Sequence, residues 1–147
     1  MSAKAVREYH GKKLLAKHVQ AVGGHVMDDR SVLITSSTDL KACPKENPWL
    51  LETPLVVKPD QLIKRRGKAG LVGINLNWKE TQEWINERME QEITVDKVKG
   101  TLDHFMVEPF VAHSAKDEYY ICIQSHREGE EILFCAQGGV DVGDVGT

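Results

Sequence analysis

Apolar positions recur along this chain with two periods, one helical and one of strands, and helical spacing dominates the start. Over residues 3–22, Leu15, Val19 and Val22 fall at i, i+4 and i+7, and Ala5 and Tyr9 broaden the face. That spacing predicts an amphipathic helix, with Ser2 as N-cap, Gly23-Gly24 as stop and Gly11 as its weak point. Residues 32–34 read as a short strand and 38–46 as a helix ended by Pro48, followed by Trp49, Leu50 and Leu51 as core anchors. The apolar run 55–57 forms a strand that ends on Lys58 and Pro59. A second strand over 72–76 alternates Val72, Ile74 and Leu76 against Gly73 and Asn75. Asn77 with Glu80 three positions on resembles a capping box, and opens a helix over 78–89 that buries Trp84, Ile85 and Met89 against this strand pair.

Strands take over afterwards. Residues 93–98 suit a short one, and 105–111 form an almost unbroken apolar run interrupted by Glu108 and Pro109. Proline lacks an N–H, so the ladder is expected to break at Pro109 and leave its neighbours' backbone groups to another partner. Residues 118–125 and 131–136 read as strands joined around Glu128-Gly129, and the chain finishes in the glycine-rich, acidic QGGVDVGDVGT. No repeat and no linker divides the chain. Helices at the start and strands afterwards predict an α+β fold.

The 147 residues suit one domain, or a small domain with a fragment of a second. With 41% hydrophobic and 28% charged residues the chain is globular, and a net charge of −3 gives no reason to bind nucleic acid or an anionic membrane. No stretch approaches the roughly 20 apolar residues of a membrane span. The start, MSAKAVREYHGKK, lacks a secretory h-region, so the cytosol is the expected location. Cys43, Cys122 and Cys135 form neither a disulfide framework nor a CxxC pair. His10, His18 and His25 have no acidic or thiol partner at ligand spacing. Ser125-His126, His113-Ser114 and Cys122 read as structural, so no catalytic residue is assigned.

Positive charge is local, in Lys64, Arg65, Arg66 and Lys68 around Gly67, between the two strands that flank this loop. Cations and bare glycine amides converging on one spot can hold a phosphate chain, although on composition alone a solvated basic loop or an import-tag lookalike is equally open. The G-x-x-x-x-G-K-[ST] loop is absent, and Gly67, Gly70 and Gly73 miss the Rossmann spacing. A bound nucleotide would therefore sit between strands and a loop. Glu108 and Glu118 could each be a plain surface carboxylate. Asp141 and Asp144 could form a Mg²⁺ loop, since hard cations take oxygen ligands.

The stretch VVKPDQLIKRRGKAGLVG closely resembles the nucleotide-binding segment of the ATP-citrate synthases (ATP-citrate lyases), whose amino-terminal part is an ATP-grasp domain. A looser likeness is to the β subunit of succinyl-CoA synthetase. The resemblance spans nearly the whole chain. It is strongest over 48–76, 105–121 (FMVEPFVAHSAKDEYYI) and 138–145 (GGVDVGDV), and weakest over 24–45. It departs at Gln137, where the family pattern has glutamate, and at Gly146-Thr147.

The resemblance implies a partial ATP-grasp domain over 1–147, with mixed sheets, flanking helices and ATP held between two lobes. By similarity Lys58 contacts the phosphates, and Arg66 and Gly67 line a lid over them. The segment 108–111 is the interlobe hinge beside adenine, where the Pro109 carbonyl and the Val111 N–H complement the base, with Glu108 as second choice. Glu118 holds the ribose. Mg²⁺ ligands, the phosphorylated histidine, the citrate and CoA sites and the lyase part lie elsewhere in the family's chain, so no metal ligand is assigned here. The family converts ATP, citrate and CoA to acetyl-CoA, oxaloacetate, ADP and phosphate through a phosphohistidine and citryl-CoA, and assembles as a homotetramer. This chain alone is then expected to be inactive. The alternatives are a succinyl-CoA synthetase-like acid–thiol ligase subunit and a non-catalytic nucleotide-binding or interaction module.

Overall fold

The computed structural model describes residues 5–23, 26–63, 66–67, 69–95 and 98–137. Its helices are α1 (Glu8–Gly23), α2 (Cys43–Glu46) and α3 (Trp78–Arg88), with 3-10 turns at Pro48–Leu51 and Ala115–Asp117. Its strands are β1 (Val32–Thr35), β2 (Leu55–Pro59), β3 (Gly73–Leu76), β4 (Glu92–Val95), β5 (Val98–Thr101), β6 (His104–Pro109), β7 (Tyr120–His126) and β8 (Gly129–Cys135). The class is α+β, and every described strand pair is antiparallel. The chain divides after Phe110 into two compact units, 5–110 and 111–137 as described, a boundary without a compositional signal.

In the first unit a four-stranded sheet runs in the order β1-β6-β2-β3. Side chains on β2 alternate strictly: Leu55, Val57 and Pro59 are buried, while Val56 and Lys58 are partly exposed on the opposite face. Phe105 and Val107 of β6 join the same core as Leu55 and Val57, with Leu50, Leu102, Trp78 and Ile85. α3 covers that core face. Its capping box is formed as expected, Asn77 accepting from the Glu80 N–H at 3.0 Å and Glu80 from the Asn77 N–H at 2.8 Å. Ile85 is buried, and Trp84 and Met89 pack at the edge of the core.

Several expectations need correction. β3 does not alternate as the sequence suggests. Leu55 faces Leu76 and Val57 faces Gly73, so β3 carries one more residue than β2 across this stretch. This bulge, with Asn75 at φ 58°, turns Gly73 and Leu76 inward and Ile74 out to solvent. The stretch 93–98 is not one strand but part of the β4–β5 hairpin. Of the helix expected over 38–46 only α2 forms. The Asp39 carbonyl accepts from the N–H groups of Ala42 and Cys43, and the Thr38 hydroxyl accepts from the Thr35 N–H, so turns replace the helix's first part. Pro48 starts a 3-10 turn, and within it Leu50 is buried whereas Leu51 is exposed.

α1 departs most. Residues 5–7 are not helical, Ser2 lies outside the described residues, and the helix begins at Glu8. Leu15 and Val22, expected to face the core, are exposed, Val22 by 85%, and Ala16 is the one buried residue of the helix. Burial therefore does not hold this helix; polar contacts do.

In the second unit β7 and β8 pair as a hairpin in which Ile121 faces Phe134 and Ile123 faces Ile132. These four side chains share one face of the ribbon and are exposed.

Candidate functional site

On β2 and β6, Val56 is opposite Glu108 and Lys58 opposite Met106, so Lys58 and Glu108 are diagonal neighbours on the face away from the core. The Lys58 ammonium, 16% exposed, reaches Glu108 Oε1 at 2.8 Å and Glu8 Oε1 at 2.6 Å. Glu8 and Lys12, one helical turn apart on α1, meet this pair from the other side. Lys12 Nζ lies 2.7 Å from Glu108 Oε2 and 3.2 Å from Glu8 Oε1. Arg66 closes the group, donating from Nη2 to Glu8 Oε2 at 2.5 Å and from Nη1 to the Pro59 carbonyl at 2.6 Å.

Among the described residues, three cations thus surround two carboxylates, leaving one positive charge in excess. Burial works against the charge on Glu8, but the hydrogen bonds and fields of Lys58 and Arg66 outweigh it and hold the carboxyl at about 2, against an ordinary 4.5. Burial likewise works against the ammonium of Lys12, yet its bonds to Glu108 and Glu8 raise its pKa. Behind the cluster, Asp60 is 1% exposed and accepts the Tyr9 N–H at 3.0 Å, capping α1 from 51 residues away in sequence.

The expected lid is described only in part, since Lys64, Arg65 and Lys68 lie outside the described residues. Gly67 is exposed and a Cβ there would meet nothing within 4 Å, so no contact among the described residues demands glycine at this position. Gly70, at φ +67° in the following turn, has a backbone conformation that favours glycine. Pro109 ends β6 opposite Leu55, and the next N–H, that of Phe110, donates to the Pro54 carbonyl at 2.8 Å. The expectation that the proline frees its neighbours' backbone is therefore corrected for Phe110. Glu108, read as a possible edge carboxylate, sits on a central strand within the ion cluster.

In the second unit His113 bridges two of the expected residues. Its Nδ1 lies 2.8 Å from the Val111 carbonyl and its Nε2 2.8 Å from Glu118 Oε1. The carbonyl, followed by the Glu118 carboxylate, raises the imidazole's pKa. Glu118 does not open a strand but precedes β7, after a turn capped by Ser114 and Asp117. Sequence reasoning missed Glu8, Lys12, Asp60 and His113. The i, i+4 spacing of Glu8 and Lys12 was visible, but their partners lie up to 96 residues away. Among the described residues no group of three or more His, Cys, Asp or Glu side chains could hold a metal, and Asp141 and Asp144 lie outside them. No described helix is long and apolar enough to cross a membrane.

An α+β unit carrying a cationic cluster at a strand end and a loop, followed by a second β unit, has the parts of an ATP-grasp domain. The comparisons give the same class. The family model described as the ATP-citrate synthase ATP-grasp domain matches residues 2–147, and the chain belongs to that family. It is 49% identical over 145 residues to the ATP-citrate synthase of Mus musculus, covering 99% of this chain and 13% of that protein. It is 40% identical to the ATP-citrate synthase alpha chain protein 2 of Arabidopsis thaliana, covering 97% of this chain and 33% of that one. The solved ATP citrate lyase from Methanothrix soehngenii, in complex with citrate and coenzyme A, superposes with a TM-score of 0.86 at 40% identity. That match covers 95% of this chain and 33% of the solved one. The chain thus spans a third or less of the relatives cited.

Proposed function

We propose that this chain is the nucleotide-binding portion of an ATP-citrate synthase acting on ATP, citrate and CoA. In this reading residues 1–147 form the first part of the ATP-grasp region, and Lys58 and Arg66 neutralise the ATP phosphates with Gly67 in the lid above them. The Pro109 carbonyl and the Val111 N–H contact adenine, with Glu108 as the lesser candidate, and Glu118 holds the ribose. Citrate, CoA and Mg²⁺ are bound by other parts of the protein, which works in the cytoplasm as a homotetramer supplying acetyl-CoA for lipid synthesis and needs neither nucleic acid nor membrane. Phosphoryl transfer asks little covalent chemistry of such a segment; positioning and charge neutralisation are its tasks.

The observation that carries the reading is the convergence of Lys58 and Arg66 on a single carboxylate, which shows that both cations reach one anionic point. The unit boundary at Phe110, inside the segment assigned to the hinge, supports it as well. The test is steady-state kinetics of the parent-length enzyme. Lys58→Ala and Arg66→Ala should each raise the ATP KM or lower kcat, about tenfold or more for a lost charge-assisted contact, with citrate affinity intact. Wild-type ATP kinetics in both variants would refute the assignment. Thioester formation with succinate and not citrate would replace the citrate enzyme by the succinyl-CoA synthetase-like ligase.

A further inference from the structure

The carboxylate of Glu8 stands where three cations meet. Lys58 and Lys12 share its Oε1, at 2.6 and 3.2 Å, and Arg66 holds its Oε2 at 2.5 Å. Two oxygens of one anion facing two ammonium groups and a guanidinium is the arrangement that a phosphate's terminal oxygens would adopt in the same place. Glu8 is moreover the first residue of a helix with little else to keep it down. Its apolar residues Leu14, Leu15 and Val22 are more than half exposed. Among the described residues, its first turn is attached by the Glu8 bonds, the Lys12–Glu108 pair and the Tyr9 N–H on Asp60. Further along, Lys13 donates to the Asp29 carbonyl at 2.6 Å and Ala16 is buried. Such ion pairs are worth less than their Coulomb attraction, because forming them takes both groups out of water and ordering long side chains costs entropy. A polyphosphate carries several negative charges and is the stronger partner for three cations.

We propose that Glu8 is a built-in anion occupying the phosphate position, that Lys12 is a third cation of that position, and that an incoming phosphate chain exchanges with Glu8 and loosens the start of α1. The inference rests on reading Lys58 and Arg66 as phosphate ligands and deepens it. Counting the described residues, the cluster carries one excess positive charge with Glu8 in place; with Glu8 withdrawn the same three cations face Glu108 alone. Glu108 still holds Lys12 and Lys58 side by side, so the site stays assembled while its anion changes. A competing internal anion lowers apparent affinity by the fraction of molecules in which it has stepped aside.

The experiment titrates inorganic tripolyphosphate and Mg·ATP into the full chain by calorimetry. Glu8→Gln keeps size and removes the charge, and should bind tripolyphosphate roughly tenfold tighter; Lys12→Gln should bind it roughly tenfold weaker. In the unaltered protein, tripolyphosphate should speed hydrogen exchange of the backbone amides at positions 9–12. That measurement decides alone if Glu8→Gln does not fold. Equal or weaker binding by Glu8→Gln, unchanged binding by Lys12→Gln, or unchanged exchange at the helix start overturns the proposal. Binding that Lys58→Ala abolishes and Glu8→Gln leaves unchanged removes the exchange of anions but keeps the phosphate site. Binding independent of Lys58 in both the unaltered protein and Glu8→Gln removes both.

Discussion

Lys58 is neutralised by carboxylates from two other elements before any ligand arrives, so its environment can be tested through those carboxylates. The folded-state pKa of Glu8, about 2, lies below its ordinary 4.5. Its contribution to stability is therefore complete above about pH 4.5 and is lost as pH falls toward 2. Carbon-13 titration of the Glu8 carboxyl should give a midpoint near 2, and a midpoint near 4.5 would mean that the ion cluster does not persist in solution. His113 behaves in the opposite sense. Both ring nitrogens face oxygen acceptors, so the imidazolium satisfies both, and its pKa is raised above 6.5. What it contributes is complete below about pH 6.5 and is lost as pH rises through the raised value. Proton NMR of the His113 ring should show a midpoint above 6.5, which Glu118→Gln should lower.

The elements differ in what holds them. β3 depends on one glycine: a Cβ on Gly73 would stand 2.8 Å from Val57 Cγ1, 2.9 Å from Leu76 Cδ1 and 3.2 Å from Trp84 Nε1. Val57 is fully buried and has little room to give, so Gly73→Ala should cost about 1–3 kcal/mol by denaturant unfolding. An unchanged midpoint would show that the bulge relaxes freely. α1 depends on a cap supplied by another element, and Asp60→Ala should lose about 1 kcal/mol. The loss should appear as faster amide exchange in α1 with the four-stranded sheet protected as before; uniform loss across the sheet would place Asp60 in the core's energetics instead. The spacing of Leu15, Val19 and Val22 correctly announced a helix but assigned it the wrong support. Periodicity reports that an apolar stripe exists and cannot say whether anything covers it.

At the scale of the molecule the two units carry very different amounts of burial. The first has a sheet backed by a continuous core, and the second a two-stranded ribbon with Ile121, Ile123, Ile132 and Phe134 exposed. Isolated hairpins are marginal in water, so amides of β7 and β8 should exchange faster than those of β2 and β6 in this chain. Equal protection would require the ribbon's apolar face to be covered in solution. Composition did not announce the boundary between the units, because Phe110 and its neighbours are apolar and carry no linker composition; only the family likeness pointed to 108–111.

Local patterns were enough for the strands β1 and β2, the capped helix α3 and the β7–β8 turn region, since each depends on residues within a few positions of one another. The family likeness in the sequence supplied Lys58, Arg66 and Glu108 as residues to watch. Only the tertiary structure brought Glu8 and Lys12 against them, capped α1 with Asp60 and turned Ile74 outward through the bulge. Charge pairing between distant segments leaves no periodic trace in a sequence, because Coulomb attraction depends on where side chains end up in space and not on how they are spaced along the chain.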